Sequence, residues 1–231
     1  MFRNTATALL FCTVCIVALS HPALAQVYSI TITGRIGQFY QDASEDDSQA
    51  FDSTIHIGTR YTATFAVDQN TPFIPGAFWG AGYLDSSPAA EARVTFGDYI
   101  TTLDTGHPWH QTALYIAHSW IDALTLAGYY GAGSGLSNVQ VKATLESPGS
   151  QAFTSVDHLP LTGPGLTDIN RWTYRNFEFA AFVPSYGLAR FEGSIDSITD
   201  SAVSEPDTLA LVGSFGLFGL AFISRRLYHR C

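Results

Sequence analysis

Between Gln26 and Ala202 the chain has no cysteine; its three cysteines, Cys12, Cys15 and Cys231, lie in the terminal segments. Internal disulfides are therefore excluded from the central stretch, which is long enough to stand on a hydrophobic core alone. The Cys12-x-x-Cys15 spacing falls inside an apolar run, so both side chains read as small hydrophobes and not as a redox or zinc motif. Charge is also scarce: 13% of residues are charged, about half the usual share of a globular protein. Positive charge is scarcer still. The stretch 26–202 holds 18 acids against 7 bases, a net of −11, and Lys142 is its only lysine. Such a surface repels phosphate backbones, which argues against DNA or RNA as a partner. No Gly-x-Ser-x-Gly elbow and no glycine-rich phosphate loop ahead of a helix is present. Nor can a glycosidase pair be chosen from so many acids without geometry. The expectation is a body with no catalytic residues and no cofactor.

What the chain does have begins at its two ends. Arg3 precedes an apolar run, His21-Pro22 breaks it, and Ala23-Leu24-Ala25 supplies the small-x-small pattern that signal peptidase requires. Residues 1–25 thus read as a secretory signal helix cut between Ala25 and Gln26. Residues 203–231 have three parts: a polar Val203-Ser204-Glu205-Pro206, an uncharged run at 208–223, and a basic cluster at 225–230 containing Arg225, Arg226 and Arg230. Sixteen helical residues rise roughly 24 Å, which nearly spans a bilayer core of about 30 Å. Arginines that snorkel make up the difference, and the basic side stays cytoplasmic. Both ends predict a central body held outside the cytoplasm.

The body alternates. Tyr28-Ile30-Ile32, Tyr61-Ala63-Phe65-Val67, Val94-Phe96, Leu114-Ile116, Leu124-Leu126, Val139-Val141-Ala143-Leu145, Phe177-Phe179-Ala181-Val183 and Phe191-Gly193-Ile195 each place apolar residues at period two. Gly97-Asp98 between two such runs predicts a two-residue hairpin. Segments 41–49, 70–87 and 128–137 read as loops. The fold class expected is all-β, an antiparallel β-sandwich or jelly-roll-like body over 26–202. A signal helix and a transmembrane helix flank it.

The tail resembles the PEP-CTERM signal of exosortase substrates, on Val203, Glu205 and Pro206, then Leu209 and Gly213 in the apolar run, then Arg225-Arg226. Ser204 stands where the usual motif has its first proline. The resemblance implies an exosortase-like enzyme as partner beside signal peptidase, and cleavage near Glu205-Pro206. It further implies an inner-membrane-anchored precursor in a Gram-negative cell that makes exopolysaccharide, with the mature protein at the surface or in the extracellular matrix. A stretch common in bodies ahead of such tails is similar to Gly58-Thr59-Arg60-Tyr61 with Phe65 and Asp68.

Three constellations carry chemistry worth weighing. His107, His110 and His118 with Asp104 suggest a metal site, but Pro108 breaks a helix there and zinc wants three or four converging ligands. Surface histidines are the simpler reading. Glu45, Asp46, Asp47 and Asp52 suggest calcium, without EF-hand order, and a solvated acidic loop is simpler. Trp79, Trp109, Trp120 and Trp172 suggest stacking on sugar faces, against plain core packing. The leading expectation is a structural or adhesive body that touches exopolysaccharide. The alternative is a secreted, glycan-directed hydrolase on the same scaffold.

Overall fold

The apolar positions of the alternating runs all turn to one side, and their strands close on one another. In a computed structural model the described residues are 26–203, except 43–44, 47–49, 76–80, 119–120, 150–151, 155, 164 and 185. The proposed signal helix and transmembrane helix lie outside them. Among the described residues no helix is long and apolar enough to cross a membrane.

Among the described residues thirteen strands follow in order: β1 (Val27–Phe39), β2 (Gln41–Asp42), β3 (Glu45–Asp46), β4 (Arg60–Asp68), β5 (Phe73–Ile74), β6 (Ala81–Asp85), β7 (Glu91–Phe96), β8 (Tyr99–Leu103), β9 (Gln111–His118), β10 (Ile121–Gly133), β11 (Leu136–Pro148), β12 (Tyr174–Val183) and β13 (Gly187–Val203). All pairings are antiparallel. The order is β11-β12-β13-β1-β4-β7-β8-β10, and β10 pairs with β11 again, so eight strands form a closed barrel. Strands β9, β6 and β5 extend from β10, while β2 and β3 form a separate hairpin.

The expected sandwich or jelly roll is thereby corrected to a barrel. Period-two alternation reports that one face of each strand is buried; it is silent on whether the last strand pairs with the first. Here β13 lies along β1 from Val203↔Val27 to Phe191↔Phe39, and that ladder makes the ring possible. Three other expectations change. Segment 41–49 contains the β2–β3 hairpin, segment 70–87 contains β5 and β6, and segment 128–137 is the end of β10, a tight turn and the start of β11. The Gly97-Asp98 hairpin is found as expected: Phe96 pairs with Tyr99, and Gly97 takes φ +52, a conformation L side chains rarely adopt.

Aromatic rings fill the barrel. Phe96, Phe179 and Phe191 lie 4.8–5.2 Å apart between centroids. Phe51, from the connection between β1 and β4, packs edge-on to Phe96 at 5.7 Å and plugs the interior. Tyr61 stacks on Phe177 at 4.0 Å and donates a hydrogen bond to the Ser194 carbonyl at 2.7 Å. Room for its ring comes from glycine: a Cβ at Gly34 would fall 2.5 Å from the Tyr61 hydroxyl and 1.8 Å from the Ser194 carbonyl. In the stretch that resembles family bodies, then, Tyr61 and Phe65 are core residues, and Asp68 accepts from the Asn70 backbone at 2.8 Å.

Candidate functional site

Residues pointing out of a β-strand form rows across a sheet wherever registers align. On the outer face of β9 to β13 three such rows lie side by side. The first is Tyr115–Thr125–Thr144–Asn176. The second is Ala127–Lys142–Glu178–Glu192–Gln38, reaching β1. The third joins Gln140, Ala180 and Arg190, and the Tyr40 backbone N–H donates to the Arg190 carbonyl at 3.2 Å. Tyr129 borders this third row from β10, opposite Gln111.

Two adjoining depressions run over these rows and share Tyr129 and Lys142. The larger, about 750 Å³, spans β9 to β11; the smaller, about 220 Å³, spans β10 to β13 and reaches Tyr40. Together they make an open groove with Tyr115 and Tyr129 on β9 and β10, Tyr40 at the far end and Ala180 on β12 between, while Ala117 and Ala123 line it beyond Tyr115. Burial, and then Tyr115 beside it, pushes the Tyr129 hydroxyl up to about 12. Polar groups in the groove are already ordered. Lys142 Nζ lies 3.4 Å from Glu178 Oε1, which also accepts from Asn176 Nδ2 at 3.3 Å. Glu192 accepts from the Tyr40 hydroxyl and from Gln38 Nε2 at 2.8 Å. The Arg190 guanidinium sits 4.6 Å from the Tyr40 ring centroid, a cation–π contact.

His107, Trp109 and Tyr130 form a second aromatic group. Tyr130, next to Tyr129, is held at φ +63, a strained conformation for a non-glycine residue. Its carbonyl accepts from the Asp104 backbone N–H at 2.9 Å, and its ring stacks on His107 at 4.2 Å. Trp109 packs 5.8 Å from His107 and is 69% exposed. A large ring left open to water on a tethered loop is a stacking surface in waiting.

No protein-family model, curated protein or solved structure matches the chain. The site must speak through its own geometry.

The residues singled out in the sequence fare unequally. Trp109 is on the surface; Trp172 is a core residue, 1% exposed, with Nε1 donating to the Leu166 carbonyl at 3.1 Å. Trp79 and Trp120 lie outside the described residues. Asp104, His107 and His110 share one loop, where His110 Nδ1 contacts the His107 carbonyl at 2.7 Å. His118 stands apart at the end of β9, where Asp122 holds it at 2.6 Å. Among the described residues no group of three or more His, Cys, Asp or Glu is placed to hold a metal. Glu45 and Asp46 belong to the β2–β3 hairpin, Asp47 lies outside the described residues, and Asp52 serves its own turn. Hydrogen bonds from Thr54 hold the Asp52 carboxyl below its usual range. Of the processing residues, Val203 ends β13 opposite Val27, and the Gln26 carbonyl accepts from the Gln69 N–H at 2.7 Å. Ala23, Ala25, Glu205, Pro206, Arg225 and Arg226 lie outside the described residues.

Sequence reading missed Tyr40, Tyr115, Tyr129, Glu178, Arg190 and Glu192. A signal existed, because aromatic residues at outward positions of alternating strands are out of place on a merely solvated face. Which strands lie side by side is what the sequence withholds.

Proposed function

We propose that this protein is exported and sorted through an exosortase-like system, and that its barrel is a non-catalytic surface body that contacts exopolysaccharide. The observation that carries the binding part is the groove flanked by Tyr40, Tyr115 and Tyr129 on a closed, rigid scaffold. Sugar rings offer apolar C–H faces to aromatic rings and hydroxyls to the polar groups between them. A fixed scaffold loses little entropy on binding. Sorting rests on the terminal resemblance.

Affinity electrophoresis through gels containing polysaccharide tests binding: the protein is retarded, and Tyr129→Ala abolishes most of the retardation. Mass spectrometry of both ends of the exported protein tests sorting. A mature start at Gln26 with an end near Glu205 supports it; an intact Cys231 counts against it.

One observation favours the alternative hydrolase. Glu178 and Glu192 are directly opposite on β12 and β13, and paired carboxylates are what glycoside hydrolysis needs. Both, however, are ringed by hydrogen-bond donors, and the Glu178 side chain is 41% exposed. Release of reducing ends that Glu178→Gln and Glu192→Gln both abolish would establish the hydrolase.

A further inference from the structure

We infer that the groove takes a neutral, hydroxyl-rich polysaccharide and discriminates against uronic-acid polymers; this rests on the carbohydrate reading above. Three observations on different scales point the same way. The body carries a net charge of −11, so a polyanion is repelled before contact. Among the residues that line the groove, Lys142 and Arg190 stand with one carboxylate, Glu178, and Glu192 lies beside it on the neighbouring strand. Both cations are engaged, Lys142 by Glu178 and Arg190 over the Tyr40 ring. A ligand carboxylate wants a donor pair that is not already committed, best a forked guanidinium. Here it would also meet Glu178 and Glu192, adjacent in the same row.

The remaining lining suits hydroxyls. Gln111, Gln140, Thr125, Thr144 and the tyrosines all carry groups that donate and accept. A sugar hydroxyl does the same and can match either role. Ala117, Ala123 and Ala180 add apolar lining with no side-chain polar atom to satisfy, suited to sugar C–H faces. From β9 to β1 the rows cross five interstrand spacings, about 24 Å, so an extended chain and not a single sugar is the occupant that fills the groove.

The test uses the exported protein in affinity electrophoresis through gels of a neutral β-glucan, a neutral galactomannan, alginate or polygalacturonate. Retardation is expected in at least one neutral gel and in neither uronate gel, little changed by added salt because no ion pairing is involved. Tyr129→Ala should weaken neutral binding roughly tenfold, the equivalent of ~1.4 kcal/mol, while Tyr129→Phe keeps it and controls for folding. Binding to the uronates alone overturns the neutral preference and leaves the carbohydrate reading standing. Binding to none of the four overturns both. Neutral binding that Tyr129→Ala leaves unchanged moves the site out of the groove.

Discussion

At the scale of single residues, Asp122 shows how one carboxylate can hold a fold together away from the groove. It is fully buried. One oxygen contacts His118 Nδ1 at 2.6 Å, and the other accepts the backbone N–H groups of Ala152 and Phe153 at 2.6 and 3.1 Å. Asp122 thereby pins the segment after β11 against the β9–β10 hairpin. Removing it orphans two N–H donors, each at a cost of ~1–3 kcal/mol. Asp122→Ala should therefore lower stability by several kcal/mol in chemical denaturation, with Asp122→Asn intermediate because it keeps one acceptor oxygen. Tyr129 makes a different prediction. Its hydroxyl is raised from an ordinary 10.0 to about 12, so the folded chain holds a proton that the unfolded chain releases first. That contribution to stability is complete below pH 10 and is lost as pH climbs toward 12. Thermal unfolding across this range should show a falling midpoint, and Tyr129→Phe should make the fall shallower; an unchanged slope would mean that the hydroxyl is not shielded.

At the scale of elements, irregular positions matter more than regular ones. β10 changes partner along one edge, pairing with β9 up to Tyr129 and with β8 from Gly131. The break coincides with Tyr130 at φ +63, and its neighbour β11 answers with Asn138 at φ +51, where the register with β12 also shifts. Asn138 is exposed, so its backbone can be tested almost free of packing effects. Asn138→Gly should be neutral or slightly stabilising, while Asn138→Val should cost ~1–2 kcal/mol, because a branched Cβ crowds the following carbonyl in that conformation. Equal stability of the two variants would show that the bulge rearranges freely.

These bulges also mark the limit of what the sequence disclosed. Tyr61 to Val67 and Val139 to Leu145 alternate cleanly and are strands. The glycines at 128, 131, 133 and 135 read as a loop because no period survives them, yet in the structure the first three lie in β10, around the point where it switches partner, and Gly135 lies in the turn that follows. Likewise β6 was hidden among glycines and prolines. The groove was legible only in part. Trp109 stood out by residue type, but Glu178 and Glu192 become neighbours through a register that the thirteen intervening residues do not reveal.

At the scale of the whole molecule, closure depends on a ladder between the first and last strands. Val27 pairs with Val203, and Gln26 is the adjoining residue. Cα atoms of paired residues in antiparallel strands lie about 4.5–5.5 Å apart, so a linker of a few residues can join Val203 to Gln26 without moving either strand. The β10–β11 turn at Ser134-Gly135 is exposed and makes a natural new opening. If the barrel is a cooperative unit set by register and not by chain order, a permutant beginning at Gly135 should unfold in a single transition with its aromatic near-ultraviolet signature intact. It should also keep its retardation in neutral polysaccharide gels, because the outward rows of β9 to β13 are unchanged. The joined ends confer a further effect. The longest ladder no longer has to be closed across the whole chain, and loop-closure entropy grows with the length closed, so refolding of the permutant should be faster than that of the natural order. Slower refolding would place the folding nucleus in the β10–β11 hairpin, the contact the permutation severs.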